Sequence, residues 1–112
     1  MTSEALVELL RIFEDSGFEV WLDGGWAVDA LLGTQTRPHK DVDIILRTID
    51  LEKLRGCLVS HDFEVQAGGT DSNFVLADHC GLEIDVHAIV FDQQGKWYLP
   101  DGKRIGGRCA NV

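Results

Sequence analysis

Residues 22–44 hold the part of the sequence that decides the fold: LDGGWAVDALLG at 22–33 and, after two polar residues, TRPHKDVDI at 36–44. An alternating run at 18–22 predicts a strand that ends at the glycine pair Gly24-Gly25. The apolar run from Trp26 to Leu32 predicts a short helix, which Gly33 stops. Residues 34–40 form a polar loop, and residues 41–47 alternate again. The stretch therefore predicts a strand, a helix, a loop and a second strand in that order.

The rest of the chain adds two helices and several strands. Apolar residues at helical spacing predict a helix over 4–16, with Ser3 as its N-cap and Gly17 as its stop, and Asp50 is predicted to cap a helix that reaches about residue 60. Strand-like runs follow at 63–66, 74–77, 82–90, 97–99 and from Ile105. Helices come early and strands late, which indicates one α+β domain over residues 1–112, a mixed β-sheet with helices packed on it.

Composition and charge exclude several classes of function. The chain has 112 residues, of which 45% are hydrophobic, and 10 basic against 19 acidic residues give a net charge of -9. This charge repels nucleic acid and anionic membranes, so neither is an expected partner. No apolar run approaches the ~20 residues of a membrane span. Because no basic and apolar leader is present, a cytoplasmic protein is expected. Cys57, Cys80 and Cys109 lack metal-type spacing and are predicted to be reduced thiols.

Two carboxylates on the predicted second strand are the first candidate functional residues. Asp41 and Asp43 are two residues apart, so they lie on the same face of the strand, where they repel each other. A divalent hard cation removes this conflict, since Mg²⁺ binds carboxylate oxygens together with substrate phosphates. The alternative is an ordinary solvent-facing strand edge, where Asp-x-Asp pairs are common.

The strand predicted at 82–90 offers a third carboxylate. Its polar face carries Glu83, Asp85 and His87, and its apolar face comprises Leu82, Ile84, Val86, Ala88 and Val90. If this strand neighbours the one at 41–47, Asp85 joins Asp41 and Asp43. Three carboxylates around two Mg²⁺ ions form the arrangement used for in-line phosphoryl or nucleotidyl displacement. The alternative is a wet sheet face that carries polar residues by default.

The glycine pair is the third candidate feature. Glycines between a strand and a helix let the backbone approach a phosphate closely, and a helix N-terminus offers free N–H groups. The alternative for Gly24-Gly25 is an ordinary turn.

In this order, the three pieces resemble the antibiotic nucleotidyltransferases, above all the lincosamide nucleotidyltransferases and next the aminoglycoside 2''-O-nucleotidyltransferases. The resemblance is specific over residues 22–44, where the families carry a Gly-Gly-Trp helix start, an Arg-x-His loop and an Asp-x-Asp strand. The run EIDVH at 83–87 resembles their later strand with a third acidic residue. The resemblance implies the nucleotidyltransferase fold. It also implies transfer of a nucleoside monophosphate from ATP, or another nucleoside triphosphate, to a hydroxyl of a small molecule such as a lincosamide or an aminoglycoside.

The same resemblance implies roles for the acidic residues. Asp41 and Asp43 would bind Mg²⁺, two ions in all, and Asp85 would be the third ligand or the general base. Glu83 and His87 are expected to contact the acceptor, because an acidic face attracts cationic molecules.

For the nucleotide, the resemblance implies that Gly24 and Gly25 hold the ATP phosphates and that Arg37 approaches the triphosphate. His39 matches the loop pattern of the families, but no role is assigned to it. Trp26 is expected to pack the short helix on the sheet, with stacking on a ligand as the alternative. Asp29 is expected to be an exposed helix acid, with a polar residue at the rim of the site as the alternative.

The resemblance has one departure. Family members usually continue into a C-terminal helical extension that this chain is expected to lack. The alternatives are a truncation, a minimal member that completes its cleft by dimerising, and a relic that binds nucleotide without transferring it; of these, the homodimer is the one expected here. Apolar residues near the C-terminus suggest where two copies meet: Trp97, Tyr98, Leu99 and Ile105. The alternative function is a minimal nucleotidyltransferase-like antitoxin, or a nucleotide-binding module without antibiotic transfer. Antitoxin-type members usually carry Gly-Ser where this chain has Gly24-Gly25.

Overall fold

The computed structural model describes residues 2–98 and 110–111. Within them the helices are α1 (Ser3–Ser16), α2 (Gly24–Leu32) and α3 (Leu51–Ser60), the last preceded by a 3-10 turn at Thr48–Asp50. The strands are β1 (Val20–Asp23), β2 (Asp41–Arg47), β3 (Glu64–Val65), β4 (Asn73–Ala77), β5 (Glu83–Phe91), β6 (Trp97–Tyr98) and β7 (Ala110–Asn111). Within the described residues the predicted elements are present with shifted ends, and the α+β class with a mixed sheet is confirmed. Leu99 and most of the strand predicted from Ile105 lie outside the described residues.

The sheet runs in the order β3-β4-β5-β2-β1-β7, and β6 pairs with β5. The central pair, β2 with β5, is parallel, whereas the other pairs are antiparallel. The Asp-x-Asp strand therefore lies directly beside the strand that carries Asp85. This arrangement is the one that the sequence analysis required for the three carboxylates to share a site.

The helices cover one face of the sheet. Side chains alternate along the central strands, and those that point to the helices form the core with Leu6, Leu9 and Phe13 of α1 and Leu54 and Leu58 of α3. Thr2, not Ser3, is the N-cap of α1, because its hydroxyl accepts a hydrogen bond from the Ala5 N–H. None of the described helices is long and apolar enough to cross a membrane.

The opposite face is divided between a polar end and an apolar end. Trp21, Ile45 and Ile89 are buried there in a second small cluster. The placement of Val90 in the main apolar face is wrong, because Val90 is 44% exposed. The pairing of β5 with β2 stops at Ile89, so Val90 lies beyond the part of β5 that the helices cover.

Candidate active site

Asp43, Asp85 and His87 meet on the polar end of the open sheet face. The parallel register places Asp43 directly opposite Asp85, and one ligand atom from each of the three residues lies within 4.8 Å of the others. The His87 Nε2 atom is 3.4 Å from Asp85 Oδ1 and 3.8 Å from Asp43 Oδ1. All three side chains are half-buried. The structure thus brings two of the three candidate carboxylates together, with His87 between them.

Asp41 and Glu83 lie at the edge of this group. They are opposite each other in the register of β2 and β5; Asp41 is exposed and Glu83 half-buried. Asp41 shares the face of Asp43, as the alternation along the strand predicts, but it is outside the close group formed by the other three residues. Its negative charge still reaches the group, since it contributes to the pKa of Asp85.

The electrostatics of the three residues differ from one another. The facing His87 side chain lowers the pKa of Asp43 below its usual value, against the opposing effect of burial. Burial raises the pKa of Asp85, and the charges of Asp43 and Asp41 add to the rise, whereas His87 opposes it. The pKa of His87 is raised, first by Asp43 and then by the charge of Asp85, against burial. Negative charge has therefore accumulated here beyond what His87 compensates.

This donor set fits a hard divalent cation. Asp43 and Asp85 offer carboxylate oxygens from adjacent strands, which are the ligands that Mg²⁺ prefers, and their partial exposure leaves room for substrate phosphates. His87 adds a nitrogen that suits transition metals as well. A cation between the two carboxylates would offset both the burial of Asp85, which is the main cause of its raised pKa, and the smaller effect of the Asp43 charge.

The glycine pair adjoins this group, at the start of α2. Gly24 has a φ of +65°, and a Cβ atom there would collide with the Asp43 carboxylate. A Cβ atom at Gly25 would lie 2.5 Å from Cε1 and Nδ1 of His39 and 3.1 Å from Nη2 of Arg37. Both positions therefore require glycine, for two different neighbours. Arg37, an exposed residue, has its guanidinium at the start of the helix, where the sequence analysis placed the triphosphate.

A second polar cluster lies on the other side of the glycine pair, and the sequence analysis missed it. Asp29 is 4% exposed and His39 7% exposed, so the expectation of an exposed acid at 29 is wrong. Asp29 Oδ2 is 2.5 Å from His39 Nε2 and accepts a hydrogen bond from the Thr36 N–H, while its Oδ1 accepts one from the Thr36 hydroxyl. The position of Trp26 could have predicted the burial of Asp29. Trp26 is buried, and Asp29, three residues later, lies on the same face of α2.

Trp26 packs in the core, as expected, with 4% of its surface exposed. Its ring centroid is 4.5 Å from that of His39, so the indole forms one wall of the buried cluster. His61 and His79 are exposed. Cys57 and Cys80 carry free thiols, as predicted, and Cys109 lies outside the described residues.

Known sequences match this chain over most of its length. The family model of the aminoglycoside-2''-adenylyltransferases matches residues 5–104. A lincosamide resistance protein from Staphylococcus haemolyticus is 30% identical over 95 residues, which make up 85% of this chain and 59% of that protein. The chain thus spans less than two thirds of this relative.

Solved structures match the fold. The lincosamide antibiotic adenylyltransferase LnuA, solved with lincomycin bound, aligns with a TM-score of 0.81 and 28% identity over 100% of this chain and 68% of its own. ANT(2'')-Ia, solved in complex with adenylyl-2''-tobramycin, aligns with a TM-score of 0.76 over 97% of this chain and 67% of its own. At 20% identity the second likeness shows the fold alone. The expected nucleotidyltransferase fold is confirmed.

Proposed function

The chain belongs to the aminoglycoside-2''-adenylyltransferase family, and from this membership we propose that it transfers a nucleoside monophosphate from ATP, or another nucleoside triphosphate, to a hydroxyl of a small antibiotic. One observation carries the proposal. Asp43 and Asp85 face each other on adjacent parallel strands, beside a glycine turn at which no side chain fits. Paired carboxylates next to a phosphate-binding helix start are what nucleotidyl transfer requires.

The acidic residues divide the work as follows. Asp43 and Asp85 would hold Mg²⁺, and Asp41, exposed on the same face, would serve a second ion. When bound, Mg²⁺ supplies charge neutralisation for the triphosphate and for the displacement at phosphorus. The raised pKa of Asp85 fits a carboxylate that accepts the proton of the attacking hydroxyl.

The nucleotide and the acceptor approach from two sides of this group. Gly24 and Gly25 would bind the phosphates through backbone N–H groups, and the Arg37 guanidinium beside them would pair with phosphate oxygens. Glu83 and His87 would contact the acceptor. The acidic face suits the ammonium groups of an aminoglycoside, whereas the lincosamide resistance protein has the longer sequence match, so the acceptor panel must include both classes.

The test is incubation with ATP, Mg²⁺ and a panel of lincosamides and aminoglycosides, followed by mass spectrometry. We expect one acceptor class to gain the mass of one nucleoside monophosphate, and the Asp43→Asn variant to form no such product. If ATP binds but no acceptor is modified, the chain is a nucleotide-binding module without antibiotic transfer. If ATP does not bind either, the proposal is wrong.

Association into a homodimer is a separate part of the proposal. Of the apolar residues that suggest it, Trp97 and Tyr98 form β6, and Leu99 and Ile105 lie outside the described residues. A second copy would supply a wall for the acceptor, which must be held in line with the α-phosphate for useful rates. Light scattering at micromolar concentration decides the matter, since the mass of one chain would contradict a dimer.

A further inference from the structure

The cluster formed by the buried residues Asp29 and His39 with the exposed Thr36 takes no part in the chemistry proposed above. Ionisable side chains enter a protein core only when hydrogen bonds or ion pairs replace their hydration. Asp29 and His39 meet this condition, because the two are paired with each other and Asp29 also accepts two hydrogen bonds from Thr36.

The cluster ties two elements of the candidate site together. Asp29 lies on α2, one turn after Gly25, whereas Thr36 and His39 lie in the loop that leads to β2. Thr36 and His39 flank Arg37 at either side, so the loop is fixed to the helix immediately before and shortly after that residue. Any shift of the loop away from α2 would break both attachments to the Asp29 carboxylate.

Arg37 is the exposed residue that this attachment holds. Its Nη2 atom lies 3.1 Å from where a Cβ on Gly25 would be, and the His39 ring lies against the same point. A free arginine side chain and a free loop both lose conformational entropy when they bind a ligand. A loop that is already fixed loses less, which strengthens binding without a further contact.

We propose that Asp29, Thr36 and His39 are positioning residues, which hold the Arg37 guanidinium at the start of α2 and thereby set the affinity for the nucleoside triphosphate. The inference rests on the proposed function, because it assumes a triphosphate beside Gly24 and Gly25. It adds that the affinity depends on three side chains that need not touch the nucleotide themselves.

The competing explanation is that the cluster only stabilises the fold. The two explanations differ in how the cluster couples to Arg37. If the cluster acts through Arg37, its loss has little further effect once the guanidinium is gone. If it is merely structural, its loss weakens binding equally with and without Arg37.

The experiment is a double-mutant cycle on ATP binding, measured by equilibrium titration with Mg²⁺ present. Thr36→Val removes the hydroxyl donor at an exposed position and is expected to fold. We expect Arg37→Ala and His39→Ala each to raise the Kd about tenfold, and Thr36→Val about threefold. In the Arg37→Ala background, His39→Ala and Thr36→Val should each add less than about twofold. At saturating ATP the kcat of Thr36→Val and of His39→Ala should lie within about twofold of wild type, because these two residues are proposed to act on ground-state binding.

Two control variants test whether the effect depends on the hydrogen bonds to Asp29. Thr34→Val makes the same change two residues earlier in the loop, where the hydroxyl makes no hydrogen bond among the described residues, and it should leave the Kd unchanged. His39→Gln can still donate to Asp29 and should recover part of the affinity. If His39→Ala fails to fold by circular dichroism, Thr36→Val carries the test alone.

The outcomes are distinct. Loss of affinity that is equal in both backgrounds, or a Kd unchanged in both Thr36→Val and His39→Ala, overturns the inference and leaves the proposed function intact. A wild-type chain that binds no nucleotide overturns both.

Discussion

Two clusters of the same residue types lie on either side of the glycine pair, and the fold treats them in opposite ways. The cluster of Asp29 and His39 is closed. Both residues are buried, and the backbone N–H and the hydroxyl of Thr36 donate hydrogen bonds to the Asp29 carboxylate. The cluster of Asp43, Asp85 and His87 is open, with half-buried side chains and nitrogen-to-oxygen distances of 3.4 and 3.8 Å. The comparison separates a carboxylate whose hydrogen bonds the protein supplies from carboxylates that remain partly accessible to a ligand.

The pKa directions show the same difference. Hydrogen bonds from Thr36, and then from His39, lower the pKa of Asp29, so its charge is stabilised by the protein. In the open cluster the pKa of Asp85 is raised, first by burial. A carboxylate whose charge is destabilised in an accessible site is a common sign of function. A cation bound there would stabilise that charge.

The largest effect is expected from removing a charge in the open cluster. Asp43→Asn should lower the transfer rate by about 1,000-fold or more, because metal charge stabilisation is worth several kcal/mol. Its Tm without metal should stay within about 3 °C of wild type, since loss of the contact with His87 is offset by relief of Asp85. Turnover at the wild-type rate would show that Asp43 is not catalytic.

A substitution in the closed cluster should lower the Tm, which the substitution in the open cluster leaves nearly unchanged. His39→Ala leaves Asp29 buried without its partner, so the Tm should fall by about 10 °C, far more than for Asp43→Asn. Thermal unfolding followed by circular dichroism measures both variants. The matched control is His79→Ala, at an exposed position, which should leave the Tm unchanged. Equal Tm values for the His39 and His79 variants would contradict the structural distinction between the clusters.

The open cluster could be predicted from the sequence, and the closed one could not. Asp43 and Asp85 stand out because each lies on the polar face of a strand whose other face is apolar, which strand periodicity predicts. Their meeting also requires β2 and β5 to be neighbours, which the sequence analysis could state only as a condition. The contact between Asp29 and His39 joins a helix to an irregular loop. No periodicity governs such a loop, so the approach of His39 to α2 depends on tertiary packing around Trp26. Val90 was misplaced for a related reason: alternation gives the face of a residue but not where the covering layer ends.

The two glycines connect the clusters and should respond differently to the same substitution. Gly24→Ala brings a methyl group onto the Asp43 carboxylate at a positive φ, so it should lower kcat and cost about 1 kcal/mol of stability. Gly25→Ala brings it onto His39 and Arg37, so it should mainly raise the KM for ATP. Steady-state kinetics with both substrates varied separates the two. Identical kinetic changes in both variants would mean that the clusters act as one unit.

The smallest expected effect is a change of stability with pH. It tests the open cluster as the pH rises and the closed cluster as the pH falls. The pKa of His87 is raised above 6.5, chiefly by Asp43, so the protonated imidazole stabilises the folded chain. That contribution is complete below pH 6.5 and is lost as the pH rises through the folded-state value.

The pKa of Asp29 is lowered below 3.8, so its contribution is present above pH 3.8 and is lost as the pH falls through the folded-state value. In chelator-treated protein the Tm should therefore decline by about 3 °C as the pH rises above 6.5 through the folded-state pKa of His87, and His87→Gln should abolish this decline. Thr36→Val removes the first cause of the lowered pKa of Asp29 and should instead reduce the acid-side decline, which Asp43 shares. A Thr36 variant that also changes the decline above pH 6.5 would show that the open and closed clusters do not titrate independently. A His87 variant that keeps the full decline above pH 6.5 would show that His87 is not its source.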